Sequence, residues 1–250
     1  MRLTYIGRNG KSRGMSRLET KTRGEAAEHL KRVARRLFAE RGVDGVSVRE
    51  IAEAAGQKNH GAVGYYFGSK DALVRELVAD GARLIDERRN AWLDRIEADG
   101  GPRSVLEVVE AFVYPSVGLE PEGREDSYTR FIVMLGMTHR QTFMEALEGR
   151  WNSGYLRCLE HLRRLMQPMS PAAKNQRFVF LGGYLGAVLA AREAALTDPS
   201  RPHPTWSSDQ TLAHLVQTAA AMLLAPAPPE GEGAAAGDPG VVGPLGAMRP

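Results

Sequence analysis

The strongest constraint on this chain is the punctuation of its helical pattern between residues 23 and 77, which stops at Gly42, at Gly56 and again at Gly68. Glycine ends helices readily because it accepts the left-handed backbone that closes a last turn. The first segment, Arg23 to Arg41, puts Leu30, Val33, Ala34, Leu37 and Phe38 on one face and Lys31, Arg32, Arg35 and Arg36 on the other. After a tight turn, Ser47 and Glu50 form a capping box: the hydroxyl accepts from an early helix amide while the carboxylate reaches back to the cap's own N–H. This predicts a short second helix with Val48, Ile51, Ala52 and Ala55 turned inward. A polar stretch, Gln57 to His60, leads into a third short helix through Val63 to Phe67, and a long fourth begins near Lys70.

No segment shows the period-2 alternation of a strand, and helical spacing recurs to the C-terminal region, so the fold expected is all-α. The fourth helix should reach about Ala98, where Gly100, Gly101 and Pro102 end it. Further helices are expected at about Arg103 to Val117, Ser127 to Met137, Gln141 to Met166 and Pro171 to Leu196, followed by an amphipathic one carrying Leu212, Leu215, Val216, Ala219 and Met222. Residues 1–22 are basic and aperiodic and read as a flexible arm, in which Met15 offers an alternative start to Met1. Residues 225–250 are rich in Pro, Gly and Ala and read as a disordered tail. The division expected is therefore 1–22, 23–70, 71–224 and 225–250.

Several classes are disfavoured. The apolar run from Phe178 to Ala191 is shorter than a membrane span requires, so no membrane role is expected. No apolar segment follows the basic N-terminus, so it does not read as a secretory signal, and a cytoplasmic protein is expected. Cys158 is the sole cysteine, which excludes an internal disulfide. His139, His161, His203 and His214 show no metal-ligand spacing, and no nucleophile elbow or phosphate-binding glycine loop occurs, so neither enzyme, metal site nor cofactor is expected. Charge is more informative. Residues 1–70 hold fifteen of the 33 Lys and Arg but only seven of the 30 Asp and Glu, a balance of +8 against −5 for the remainder. A basic third on an acidic body suggests a polyanionic partner, although a solvated surface would give the same count.

Two short helices joined by a polar turn, seated on a preceding helix, are helix-turn-helix architecture, which lays the second helix of the pair in the major groove of double-stranded DNA. The ending Y-Y-F-G-S-K-D-A-L-V, together with R-R-L-F-A-E-R-G in the first helix and V-S-V-R-E-I-A-E-A-A-G across the second, resembles the tetracycline-repressor (TetR-type) family of bacterial regulators. The likeness runs from about Arg23 to Leu77. One departure is that Gly56 to Phe67 is a residue longer than the family's commonest spacing, as in a subgroup with a Gln-basic-Asn motif after the glycine.

Read physically, Tyr66 and Lys70 at the junction of the third and fourth helices can reach phosphates, and Ser47 opens a helix whose N-terminus suits another. Base contacts would fall to Lys58, Asn59, His60, Ala62, Gly64 and Tyr65: Lys suits guanine, Asn suits adenine and an Ala methyl can touch thymine. Asn59 could instead serve as N-cap of the third helix, and Ser47 as a cap alone.

The resemblance implies that the larger region is a helical sensor and dimerisation body. Its last two helices would meet those of a second copy in a four-helix interface, with Gly182, Gly183, Gly186, Ala190, Leu212, Leu215, Val216 and Ala219 at the contact. Trp92, Phe112, Phe131, Met134, Trp151, Phe178 and Tyr184 are candidate walls of an effector pocket, though core packing is the better reading for any one of them. The resulting expectation is a homodimeric repressor released from a palindromic operator by an unidentified small molecule. The alternative is a helical regulator acting through protein partners, with only non-specific DNA contacts.

Overall fold

The computed structural model describes residues 17–120, 126–166, 168–208 and 210–226. The extreme arm, the choice between Met1 and Met15, and the tail beyond residue 226 lie outside the described residues. Helices run at α1 Arg17–Arg41, α2 Val48–Ala54, α3 Ala62–Phe67, α4 Lys70–Ala98, α5 Val105–Val113, α6 Tyr128–Thr138, α7 Arg140–Leu147, α8 Ser153–Leu165, α9 Pro171–Leu196, α10 Pro204–Ser207 and α11 Gln210–Leu224. No strand occurs among the described residues. The fold is all-α, with the short N-terminal helices followed by a larger helical region.

Three predicted helices come out differently. The first begins at Arg17, six residues before the expected Arg23 and inside the stretch read as a flexible arm. The one expected over 103–117 ends at Val113 and gives way to a 3-10 turn, Tyr114–Ser116. Tyr114 keeps α backbone at φ −63°, ψ −40°, but Pro115 has no N–H to donate to a carbonyl of the preceding turn, which fits an end at this point. The long helix expected from Gln141 to Met166 is two, α7 and α8. Between them Glu148, Gly149 and Trp151 take positive φ of 48°, 69° and 60°. The apolar spacing from Leu147 through Trp151 to Tyr155 runs across the break and conceals it. The break lets α7 pack on α4 beside α6 while α8 turns to α4 and α5.

Packing is organised around two apolar cores that α4 connects. The first joins Leu30, Ala34 and Phe38 of α1, Ile51 of α2, Val63 of α3 and the first half of α4 with Phe131 and Leu135 of α6 and Phe143 of α7. The second joins Leu93 of α4 with Val108 and Phe112 of α5, Leu162 of α8, Leu185 and Leu189 of α9, and Leu215 and Leu223 of α11. Residues 23–70 thus share a core with α6 and α7, and the packing divides along α4 and not at residue 70.

Buried polar groups fix the helices at the seam. Asp86 of α4 accepts from Gly154 N–H at 2.8 Å and from Ser153 Oγ at 2.9 Å, so its carboxylate anchors the start of α8. Arg89 donates to the Ala111 carbonyl at 3.0 Å and to Ser116 Oγ at 3.1 Å, tying α4 to the end of α5. Glu193 of α9 accepts from the Thr129 and Arg130 amides at 2.9 Å each, an anionic cap on the first turn of α6. Tyr128 lies directly over Gly81, where a Cβ would sit 2.0 Å from the ring, and its hydroxyl donates to the Val78 carbonyl at 2.9 Å. Only glycine admits so close an approach of α6 to α4.

The penultimate long helix carries three roles at once. Its buried face, Phe178, Leu181, Leu185 and Leu189, fills the second core. Lys174 donates to the Arg163 carbonyl of α8, and Arg177 donates to the Met222 and Leu223 carbonyls of α11, so α9 caps the ends of two neighbours. Its opposite face, Phe180, Gly183, Ala187, Ala191 and Ala194, is exposed. At 26 residues, with an 18-residue stretch of mean hydropathy 1.4, the helix is long and apolar enough by length and composition to cross a membrane. The shorter run read from sequence underestimated it. Its apolar character has a local cause: one face is core, and the other carries small residues.

Candidate nucleic-acid interface

The capping box at the start of α2 is complete. Glu50 N–H donates to Ser47 Oγ at 3.2 Å, and Ser47 N–H donates to Glu50 Oε2 at 2.7 Å. Arg41 at the end of α1 donates to the other carboxylate oxygen at 2.9 Å, so one side chain fixes the angle between α1 and α2. The Ser47 amide, its hydroxyl and Arg41 together hold the Glu50 carboxyl down to about 2. Gly56 closes α2 at φ 65°, and Gln57 N–H bonds back to the Ala52 carbonyl at 2.9 Å.

The turn then presents its polar residues to solvent. Lys58, Asn59 and His60 are all exposed. Asn59 is not the N-cap of α3: that position is Gly61, whose N–H donates to Asn59 Oδ1 at 2.8 Å. The side-chain carbonyl of Asn59 is therefore engaged in shaping the turn. His60 Nδ1 lies 3.7 Å from Glu53, which also accepts from Arg49 Nε at 2.8 Å.

Six residues of α3 face two ways. Val63 is fully buried, Tyr66 and Phe67 are half-buried against the first core, and Tyr65 stands out at 61% exposure. The Tyr65 and Tyr66 rings meet edge to face at 5.0 Å, which stiffens the exposed phenol. A Cβ added at Gly64 would meet nothing within 4 Å, so the outer surface of α3 is open there. Ala62 departs from expectation. It is 3% exposed, packed beside Val63, and its methyl cannot reach a base. In so short a helix the first residues must anchor it to α1 and α2. Ser69 caps α4 by accepting from Ala72 N–H at 3.0 Å, which sets half-buried Lys70 on the first turn beside Tyr66.

Two residues on this surface were not among the expected site residues. Val48, expected inward, is 39% exposed at the first turn of α2, beyond the reach of α1 and α3. Arg49 beside it is exposed and pairs with Glu53. Both flank Ser47, and the capping box itself was the signal: it places the residues immediately after the cap at an open helix end.

The candidate pocket residues are spread over both cores, with Trp92, Phe112, Phe178 and Tyr184 in or against the second. Phe131 packs 6.0 Å from Phe38 in the first core, and Met134 Sδ lies against Gly42. Phe112 and Phe178 are in the second core, Trp92 stacks on Tyr114 at 5.5 Å, Tyr184 bonds Thr218, and Trp151 sits on the break before α8. Periodic large residues here report burial. Of the expected interface residues, Leu215, Val216, Ala219 and Gly186 are buried within the protomer, Gly182, Ala190 and Leu212 are half-buried, and Gly183 is exposed. The three buried α11 residues pack in the chain's own second core and so are unavailable to a partner.

Short helices α2 and α3, seated on α1 and joined by an exposed polar turn, define a helix-turn-helix protein. Residues 31–77 match the family model described as bacterial regulatory proteins, tetR family. The chain is 38% identical over 91 residues to the HTH-type transcriptional repressor AcnR of Corynebacterium glutamicum, and 36% identical over 88 residues to the protein of the same name from Corynebacterium efficiens. Each match covers 35% of this chain and 44% of the relative, so the chain aligns with less than half the length of either. Over this domain, about a fifth of the chain by the family model, the sequence is similar to TetR-type regulators.

Proposed function

We propose that the protein is a sequence-specific DNA-binding transcriptional regulator that acts as a homodimeric repressor. The observation that carries this reading is the outward face of the α2–α3 unit. Lys58 and His60 of the turn and Gly64 and Tyr65 of α3 are exposed together, while the other face of α3 is anchored in the first core. In this reading Tyr65, Lys58, His60 and the free amide nitrogen of Asn59 meet base edges, with Gly64 allowing close approach. Tyr66, Lys70, Arg49 and the N-terminal turn of α2 at Ser47 meet phosphates and set the register.

The dimer of this reading forms through the outer stripe of α9. Phe180 is 54% exposed, and Gly183, Ala187 and Ala191 continue its line with side chains small enough for a second helix to approach closely. A two-fold axis there makes the surface meet itself. A small molecule bound in the body would release DNA by favouring a conformer whose two α3 helices are wrongly spaced, which requires unequal affinity for the two conformers.

Selection of bound fragments from random duplex DNA tests the proposal. The expected result is a two-fold-symmetric site with half-site centres about 34 Å apart. Enrichment of no sequence would overturn specific recognition and favour action through protein partners.

A further inference from the structure

A cavity of about 430 Å³ opens between the end of α8 and the start of α9, lined by Glu160, Arg163, Arg164, Pro171, Lys174 and Asn175. None of the aromatic residues expected to enclose an effector contributes to it. Three cations face one carboxylate, an unusual concentration in a body whose sequence beyond residue 70 is net acidic.

The cations are held by protein yet under-supplied with countercharge. Lys174 is 5% exposed, and its ammonium donates to the Arg163 carbonyl at 2.7 Å. No carboxylate lies within 4.0 Å of it among the described residues, so a buried cation relies on one neutral acceptor for three donors. Arg163 has Glu160 at 3.8 Å and lies over the Phe178 ring at 5.6 Å, which fixes the guanidinium without neutralising it. Arg164 donates to the Pro102 carbonyl at 3.2 Å and meets His161 at 3.3 Å. The first turn of α9, opened by Ser170 and Pro171, adds the positive end of a long helix to the same wall.

We infer that this cleft is a binding site for a small, multiply charged oxyanion, a phosphorylated or polycarboxylate metabolite, held by Arg163, Arg164 and Lys174. Planar guanidinium groups match either anion's oxygens in pairs, and the volume suits a metabolite-sized ligand. The inference does not depend on the DNA-binding reading. The same helix that supplies Lys174 supplies Glu193, the cap of α6, on the order of 28 Å further along its axis, so occupancy has a mechanical connection to the first core.

Calorimetric titration of the full chain with pyrophosphate and, separately, with glutarate in about 150 mM NaCl tests the site and its ligand class. The expected result is saturable binding of at least one probe, one molecule per chain, weakened roughly tenfold or more in the double variant Arg163→Gln, Arg164→Gln. Arg83→Gln, at an exposed position of α4 outside both the cleft and the α2–α3 surface, should leave the binding unchanged. Pyrophosphate alone would assign the site to phosphorylated ligands, and glutarate alone to carboxylates. Lys174→Met is a third probe, and the Arg variants keep the test decisive if that buried change unfolds the chain. Absence of binding to the unaltered protein up to millimolar probe would overturn the inference. So would equal binding by the Arg double variant, which would place the anions elsewhere.

Discussion

Helices α3 and α9 each bury one face and leave the other open, and the contrast between the open faces is instructive. The outer face of α3 carries chemically diverse groups, with Tyr65 and Gly64 on the helix and Lys58 and His60 in the turn before it. That of α9 carries Phe180 followed by glycine and alanines. Varied donors and acceptors discriminate among partners, whereas a smooth row of small residues lets a backbone approach. Their inner faces differ as well. A six-residue helix has little intrinsic stability and depends on Val63 and its neighbours for placement, while α9 brings Leu181, Leu185 and Leu189 into the second core and caps two other helices.

The comparison can be broken most forcefully from the inside of α9. Leu189→Ala removes a 2%-exposed side chain and should lower stability by about 2–5 kcal/mol in urea unfolding. A loss below about 1 kcal/mol would mean that α9 is not the principal support of its core. On the outside, Ala187→Arg should change protomer stability by less than about 0.5 kcal/mol yet convert the proposed dimer to monomer in analytical ultracentrifugation. An unaltered dimer would move the interface off this stripe.

Smaller effects sharpen the α3 side. Tyr65→Ala should alter the preferred base at its position by about 1–3 kcal/mol, while Lys70→Ala should weaken all sequences alike and reduce the salt slope by about 0.9. If Lys70→Ala left both affinity and slope unchanged, its phosphate role would be lost. The smallest effect concerns acid. Because the Glu50 carboxyl is held down to about 2 in the folded chain against an ordinary 4.5, its contribution is fully present above 4.5 and lost as pH falls toward 2. Glu50→Gln should therefore flatten stability against pH across that window, with little change in slope above it.

The same pair of helices shows how much was legible in advance. The S-x-x-E box, Gly56 and Gly68 located α2 and α3 closely because caps are local: each is made by residues within one turn of the helix end. Local rules do not report what lies across the chain. Ala62 and Val48 exchanged their expected environments because exposure at the ends of short helices depends on where α1 packs. The break between α7 and α8 escaped notice because Leu147, Trp151 and Tyr155 keep an i, i+4 spacing through it. Gly149, which φ shows to be part of the turn, was the overlooked signal.

Sequence alone determined the helical class, the punctuated N-terminal unit, the capping box and the outward residues of the turn, since each follows from neighbours a few positions apart. Tertiary structure decided that α1 to α3 share a core with α6 and α7, that Leu215, Val216 and Ala219 belong to the protomer's interior, and that three cations converge beside the first turn of α9. Those facts join residues dozens to well over a hundred positions apart, and no periodicity within one helix specifies which other helix its buried face will meet.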